Sequence, residues 1–142
     1  MNLRLETKPA FYVSGYPMET SEATLAQDCA TLREQHEETL RAVSNHLYFA
    51  SFMGKEDTMT YLLGIATTSL SPATEGATCI EIPATRFAIA TVPAGAPILA
   101  TWHTFFETGI PSLNAEIDMD YPFYFESFDE NGACELWIPV KE

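Results

Sequence analysis

The phrase Tyr-Phe-x-Ser-Phe occurs twice in this chain, at residues 48–52 and again at 124–128, an offset of 76. The same offset sets Tyr61 against Trp137 and Leu62 against Ile138 beyond the phrase, and Phe11 against Phe87 and Val13 against Ile89 before it. One spacing held across three segments describes a unit used twice, and such a repeat constrains topology more than any local propensity. The halves cover about residues 1–70 and 84–142 of a single domain, 1–142. Within that frame Glu126 takes the position that Ala50 holds in the first copy. One half carries a charge that the other lacks, and this asymmetry marks Glu126 as a candidate site residue.

The surroundings of Glu126 support the same choice. Phe123–Phe128 and Cys134–Val140 are two strand-like runs joined by Asp129-Glu130-Asn131-Gly132, where Asn-Gly is a tight-turn signal. Side chains alternate across a strand, so Tyr124, Glu126 and Phe128 share one face of the first run. On the second run Leu136, Ile138 and Val140 form an aliphatic face, with Glu135, Trp137 and Pro139 opposite. A carboxylate at the centre of a strand, with aromatics on its own face, is not the pattern of a plain core strand.

Taken in order, residues 9–16 predict a first strand. Thr20-Ser21 then offers an N-cap, and Leu25, Cys29, Leu32, His36, Leu40 and Val43 follow at helical spacing, a helix of roughly 20 residues ending near Asn45. His36, at the edge of that stripe, reads as a partly buried structural histidine. Leu47–Met53 and Met59–Thr67 pair around the loop Gly54-Lys55-Glu56-Asp57, and the Ser/Pro/Thr/Gly-rich segment 69–85 connects the copies, with a short strand at Cys79–Ile82. Phe87–Val92 opens the second copy. Pro97 suits the first turn of a second helix lined by Ile98, Trp102 and Phe105, with Leu99 and Phe106 beside them and Gly109 and Pro111 as its stop.

Composition narrows the function classes. Twenty acids against seven bases give a formal charge of −13, which argues against direct nucleic-acid binding and suits cationic ligands, basic partners or a solvated acidic surface. Three cysteines without CxxC spacing argue against a disulfide scaffold or a zinc site, and Asp118, Asp120, Asp129 and Glu130 lack calcium-loop spacing, so neither metal nor cofactor is expected. No signal peptide or membrane-spanning run is read, and the expected location is the cytoplasm.

The expected architecture is α+β: two strand–helix–strand–strand units about a pseudo-twofold, in one mostly antiparallel sheet with both helices on one face. The helix-free face would form a concave cleft lined by Tyr124, Glu126, Phe128 and Trp137 from one copy and Tyr48, Phe52 and Tyr61 from the other. Parity shows only which residues go together; the aliphatic Leu136-Ile138-Val140 face is the one assigned to the helices.

With these residues in place, the chain resembles the GyrI-like family, the gyrase-inhibitory proteins and the effector-binding domains of AraC-type and MerR-type multidrug regulators. The resemblance covers nearly the whole chain. It rests on the opening PAFYVSGY, on Tyr61-Leu62-Leu63-Gly64, on TWHTFF at 101–106, on Phe125-Glu126-x-Phe128, and most specifically on the closing Glu135-Leu136-Trp137-Ile138-Pro139-Val140-Lys141. It implies a buried glutamate in an aromatic cleft that takes up lipophilic, cationic molecules. That role carries over onto Glu126, with Trp137, Phe128, Trp102 and Tyr48 as its aromatic neighbours; Phe128 stands where relatives often have Tyr. The repeat uses all 142 residues, so the expectation is a stand-alone binding protein without a helix-turn-helix segment. Two alternatives follow from the same resemblance. One is a hydrolase of reactive cyclopropane-type compounds using Glu126 with a neighbouring tyrosine hydroxyl. The other is an interaction module whose protein partner is gyrase or a regulator.

Overall fold

The computed structural model describes residues 1–53 and 58–142, so the expected loop at Gly54–Asp57 lies outside the described residues. Alternating side chains build eight strands: β1 Leu3–Lys8, β2 Phe11–Thr20, β3 Leu47–Met53, β4 Met59–Thr67, β5 Thr78–Ile82, β6 Thr85–Thr91, β7 Tyr124–Phe128 and β8 Cys134–Val140. They form one antiparallel sheet in the order β1-β6-β8-β7-β3-β4-β2-β5, with β7 and β3 meeting at its centre. The α+β class and the single sheet are as expected.

The edge strand β1 was not anticipated. Its Leu3 and Leu5 pack against the helix-side core, while Arg4, Glu6 and Lys8 alternate with them and pair among themselves and with Glu135. Charged side chains on an edge strand blunt edge-to-edge pairing, and they also mask the strand in the sequence.

Helix α1 spans Leu25–Arg41 and turns Leu25, Cys29, Leu32 and Leu40 onto the sheet. It starts later than the Thr20-Ser21 cap signal predicts and ends before Val43, which is exposed. Thr20 remains in β2, and its hydroxyl, like that of Thr24, donates to the Asp28 carboxylate in the first turn of the helix. His36 stacks on Tyr16 at 3.9 Å, a structural role.

Helix α2 begins after Pro97 and runs Ile98–Thr104, then widens into a π turn at Phe105–Gly109 and closes with one α turn at Ile110–Ser112. Gly109 and Pro111 therefore do not stop it. Pro111 has no N–H to donate to the preceding turn, and a π turn is one way for a helix to pass such a position. Gly109 is needed for close approach: a Cβ there would lie 2.9 Å from Phe105 Cδ1 and 3.4 Å from Leu3 Cδ1. Among the described residues no helix is long and apolar enough to cross a membrane.

Both helices cover one face, where Leu47, Phe49, Tyr61, Leu63, Leu136 and Ile138 meet Leu32, Leu40, Phe105 and Ile110. The helix-free face is strongly curved. β2 and β7 are three strands apart, about 14 Å in a flat sheet, yet the Phe11 and Phe125 rings lie 6.0 Å apart. The concavity is filled by its own aromatics. Phe87, Phe125 and Trp137 are buried there with Tyr121, whose hydroxyl donates to the Pro83 carbonyl. Burying each of the phenylalanines contributes roughly 1.5–3 kcal/mol.

The 76-residue offset is not borne out as a structural repeat. Val13 and Ile89 both belong to the concave face, but Ala50 lies on that face while Glu126 lies on the other. Tyr61 and Trp137 are likewise on opposite faces. The shared Tyr-Phe-x-Ser-Phe phrase is therefore not a positional equivalence in the central hairpins, and Ala50 is not the counterpart of Glu126.

Candidate functional site

Glu126 sits in the middle of β7, between Phe49 of β3 and Leu136 of β8, both core residues of the helix-covered face. It is 8% exposed. Trp102 of α2 donates its Nε1–H to Glu126 Oε1 at 2.9 Å, and none of the ion pairs among the described residues involves Glu126. Burial pushes the carboxyl pKa up, against smaller downward pulls from the Trp102 hydrogen bond and the charge of Arg33.

The groups around it respond to the same burial. Burial, with the Glu126 charge second, raises Tyr61 and pushes the thiols of Cys29 and Cys134 up to about 12, so neither thiol is a thiolate at neutral pH. One strand step toward the turn, Phe128 meets Phe49 edge-on at 5.8 Å and carries the Arg33 guanidinium 4.8 Å from its ring centre. Arg33 also holds Glu37 on its own helix at 2.9 Å. In the opposite direction, Tyr124, Phe106 and Trp102 form a ring series with spacings of 6.1 and 5.8 Å.

A cleft of about 520 Å³ opens between α1, the segment 92–96 and the β7–β8 turn, and its floor is Phe128 and Cys134. It stops one pleat short of Glu126. A shallower hollow of about 260 Å³ lies on the outer side of Trp102, with Leu99, His103 and Phe106. Trp102 thus stands between solvent and the carboxyl.

Of the seven expected site residues, the structure brings five to one face: Glu126, Trp102, Tyr61, Tyr124 and Phe128. Trp137 and Tyr48 are on the other, with Phe52, in the concave aromatic cluster, where their rings pack at 5.6 Å. The expectation that Glu126 and Trp137 share a helix-free cleft is therefore corrected. The reason lies in the turn. A two-residue Asn131-Gly132 loop with every strand residue paired would set Glu126 opposite Trp137. The observed loop spans Glu130–Gly132, closed by Asp129 N–H to the Ala133 carbonyl, with Gly132 at φ +82° and Asp129 Oδ1 accepting from the N–H groups of Asn131 and Ala133. That extra residue pairs Phe125 with Trp137 and Glu126 with Leu136, and a one-residue shift exchanges the faces.

Sequence reasoning missed Arg33, Cys29 and Cys134 as neighbours of Glu126. Cys29 and Arg33 are one helical turn apart on α1, and Cys134 shares the parity of Leu136; these were the available signals. Among the described residues, no group of three or more His, Cys, Asp or Glu side chains is placed to hold a metal ion.

A family model described as integron-associated effector binding protein matches residues 4–140. No curated protein matches the chain. Among solved structures, SAV2435 bound to tetraphenylphosphonium superposes with a TM-score of 0.72 at 15% identity, over 99% of this chain and 94% of that one. An integron cassette protein from the mobile metagenome of Vibrio cholerae gives 0.70 at 14% identity, over 98% and 95%. The EcmrR C-terminal domain gives 0.64 at 10% identity, over 99% and 98%. At these identities the structural likeness is one of fold.

Proposed function

The chain belongs to the integron-associated effector binding protein family, and from that premise we propose that it binds lipophilic cationic aromatic molecules on the helix-covered face, with Glu126 as their anchor. The observation that carries this reading is a carboxyl 8% exposed, whose hydrogen bond comes from the neutral Trp102 indole. A carboxylate in such a place has no ion-pair partner in contact with it among the described residues, and a bound cation supplies one. Tetraphenylphosphonium, carried by SAV2435, is a ligand of this class. Tyr61, Tyr124, Phe128 and the displaced Trp102 ring would offer flat walls, adding about 0.5–2 kcal/mol for each cation–π contact. Access to Glu126 requires Trp102 to swing away, and α2 is short and π-distorted next to it.

The test is calorimetric titration with tetraphenylphosphonium. Glu126→Gln keeps an acceptor for Trp102 but no charge, and affinity should fall at least about tenfold. Trp137→Phe, on the concave face, should leave affinity unchanged. Binding should tighten as pH rises through the raised pKa of Glu126, with one proton released, because only the carboxylate pairs with the cation. Loss of binding in Trp137→Phe with Glu126→Gln unaffected would move the site to the concave face and end this reading.

A further inference from the structure

We propose that the preferred ligands are zwitterionic: lipophilic cations that also carry a carboxylate or similar anionic group, with Arg33 receiving the anion while Glu126 holds the cation. This rests on the reading above and names its ligand class more closely. The chain is strongly acidic, with seven bases against twenty acids. Yet the charged side chain among the residues lining the 520 Å³ cleft is a base, Arg33; the rest of the lining is Asn131, Phe128, Cys134 and small or aliphatic residues. A cleft built for a simple cation gains nothing from a fixed positive charge at its wall.

The geometry suits two charges on one rigid ligand. The Arg33 guanidinium carbon lies over Phe128, 4.8 Å from the ring centre. Phe128 and Glu126 point to the same side of β7 two residues apart, roughly 7 Å along the strand. The ligand's cationic and anionic groups would therefore be separated by about the width of a fused ring system, lying over Phe128. Arg33 retains capacity for a second anion. Its Nε and Nη2 donate to Glu37, while among the described residues Nη1 makes no hydrogen bond. The planar fork of a guanidinium holds two carboxylates side by side more readily than an ammonium does.

A matched dye pair tests this. Rhodamine B carries a free carboxylate at neutral pH; its ethyl ester has the same cationic ring system without the anion. Fluorescence titrations of wild type, Arg33→Met, Arg33→Lys and Glu126→Gln with both dyes give the comparison, with thermal midpoints as the check on folding. In wild type, rhodamine B should bind at least about fivefold tighter than its ester, a modest ratio because Arg33 is partly exposed and already shared with Glu37. Arg33→Met should erase the ratio by weakening rhodamine B while leaving the ester at wild-type affinity or tighter, and Arg33→Lys should restore part of it. Equal affinities in wild type, or a ratio that survives Arg33→Met, overturn the proposal. If the ester still binds and depends on Glu126, the cation-binding reading stands without it. Binding of neither dye overturns both.

Discussion

The β3–β4 and β7–β8 hairpins lie side by side at the centre of the sheet, and beneath the helices they carry different chemistry. Ser51 pairs with Tyr61 in the first and Glu126 with Leu136 in the second, positions that stand 75 apart and share a face. In the first hairpin the polar side chain beside Tyr61 is a small neutral hydroxyl, and Ser51 Oγ donates to the backbone carbonyl of Tyr124 on β7 at 3.4 Å. The cover there is α1, seventeen regular residues packed on β2 and β4. In the second, a carboxyl faces an aliphatic neighbour and depends on α2, seven α-helical residues followed by a π turn, for its hydrogen bond. A neutral hydroxyl answered by the backbone of the neighbouring strand is structure. One whose partner comes from an irregular helix is open to exchange that partner for a ligand.

Making the two hairpins alike breaks the comparison most severely. Ser51→Glu sets a second carboxyl diagonal to Glu126 on the same face. Unfolding by urea at pH 7 should show a loss of roughly 1–3 kcal/mol at this half-buried position, and part of it should be recovered as the pH falls toward 4 and the carboxyls take up protons. Ser51→Gln should cost much less. A Ser51→Glu protein as stable as wild type at pH 7 would mean that the second hairpin is not special in tolerating a buried acid.

The reverse change sharpens the contrast. Glu126→Gln removes the charge and leaves an acceptor for Trp102. Burial raises the folded-state pKa of Glu126 above the usual carboxylate value near 4.3. The native carboxyl therefore costs no stability below about pH 4, a growing amount as pH rises from there to the folded pKa, and a constant amount above it. The thermal midpoint of Glu126→Gln should equal wild type near pH 4 and exceed it by a few degrees at pH 8. A gain independent of pH would be a packing effect and not the relief of a buried charge.

Much of this was legible in the sequence. The alternating runs, the single acidic residue inside an aromatic strand and the two amphipathic helices lead directly to one sheet covered on one face, with Glu126 singled out. Two things were hidden. β1 alternates Leu3 and Leu5 with Arg4, Glu6 and Lys8, a pattern that only neighbouring strands identify as an edge. The face of Glu126 depended on whether the β7–β8 loop held two residues or three, and Asn131-Gly132 is compatible with both. Local turn chemistry set the competing possibilities; the aliphatic run Leu136, Ile138 and Val140, which must meet the helices, brought Glu126 with it.

That last point leads to the smallest expected effect. If the faces of β7 and β8, and not the turn, set the register, the three-residue loop is an accommodation that a shorter loop could replace. Deleting Glu130 leaves Asn131-Gly132 between Asp129 and Ala133, a sequence suited to a two-residue type I′ turn, while Phe128 still pairs with Cys134. The hydrogen bonds from Asn131 and Ala133 to Asp129 Oδ1 would be rearranged, at a cost of less than about 1 kcal/mol. The shortened protein should keep the midpoint of wild type within a few degrees, the same pH-dependent response to Glu126→Gln, and undiminished tetraphenylphosphonium binding. Loss of the pH response with the fold intact would show Glu126 turned to the concave face, and the turn would then be the element that decides which side of this sheet carries the charge.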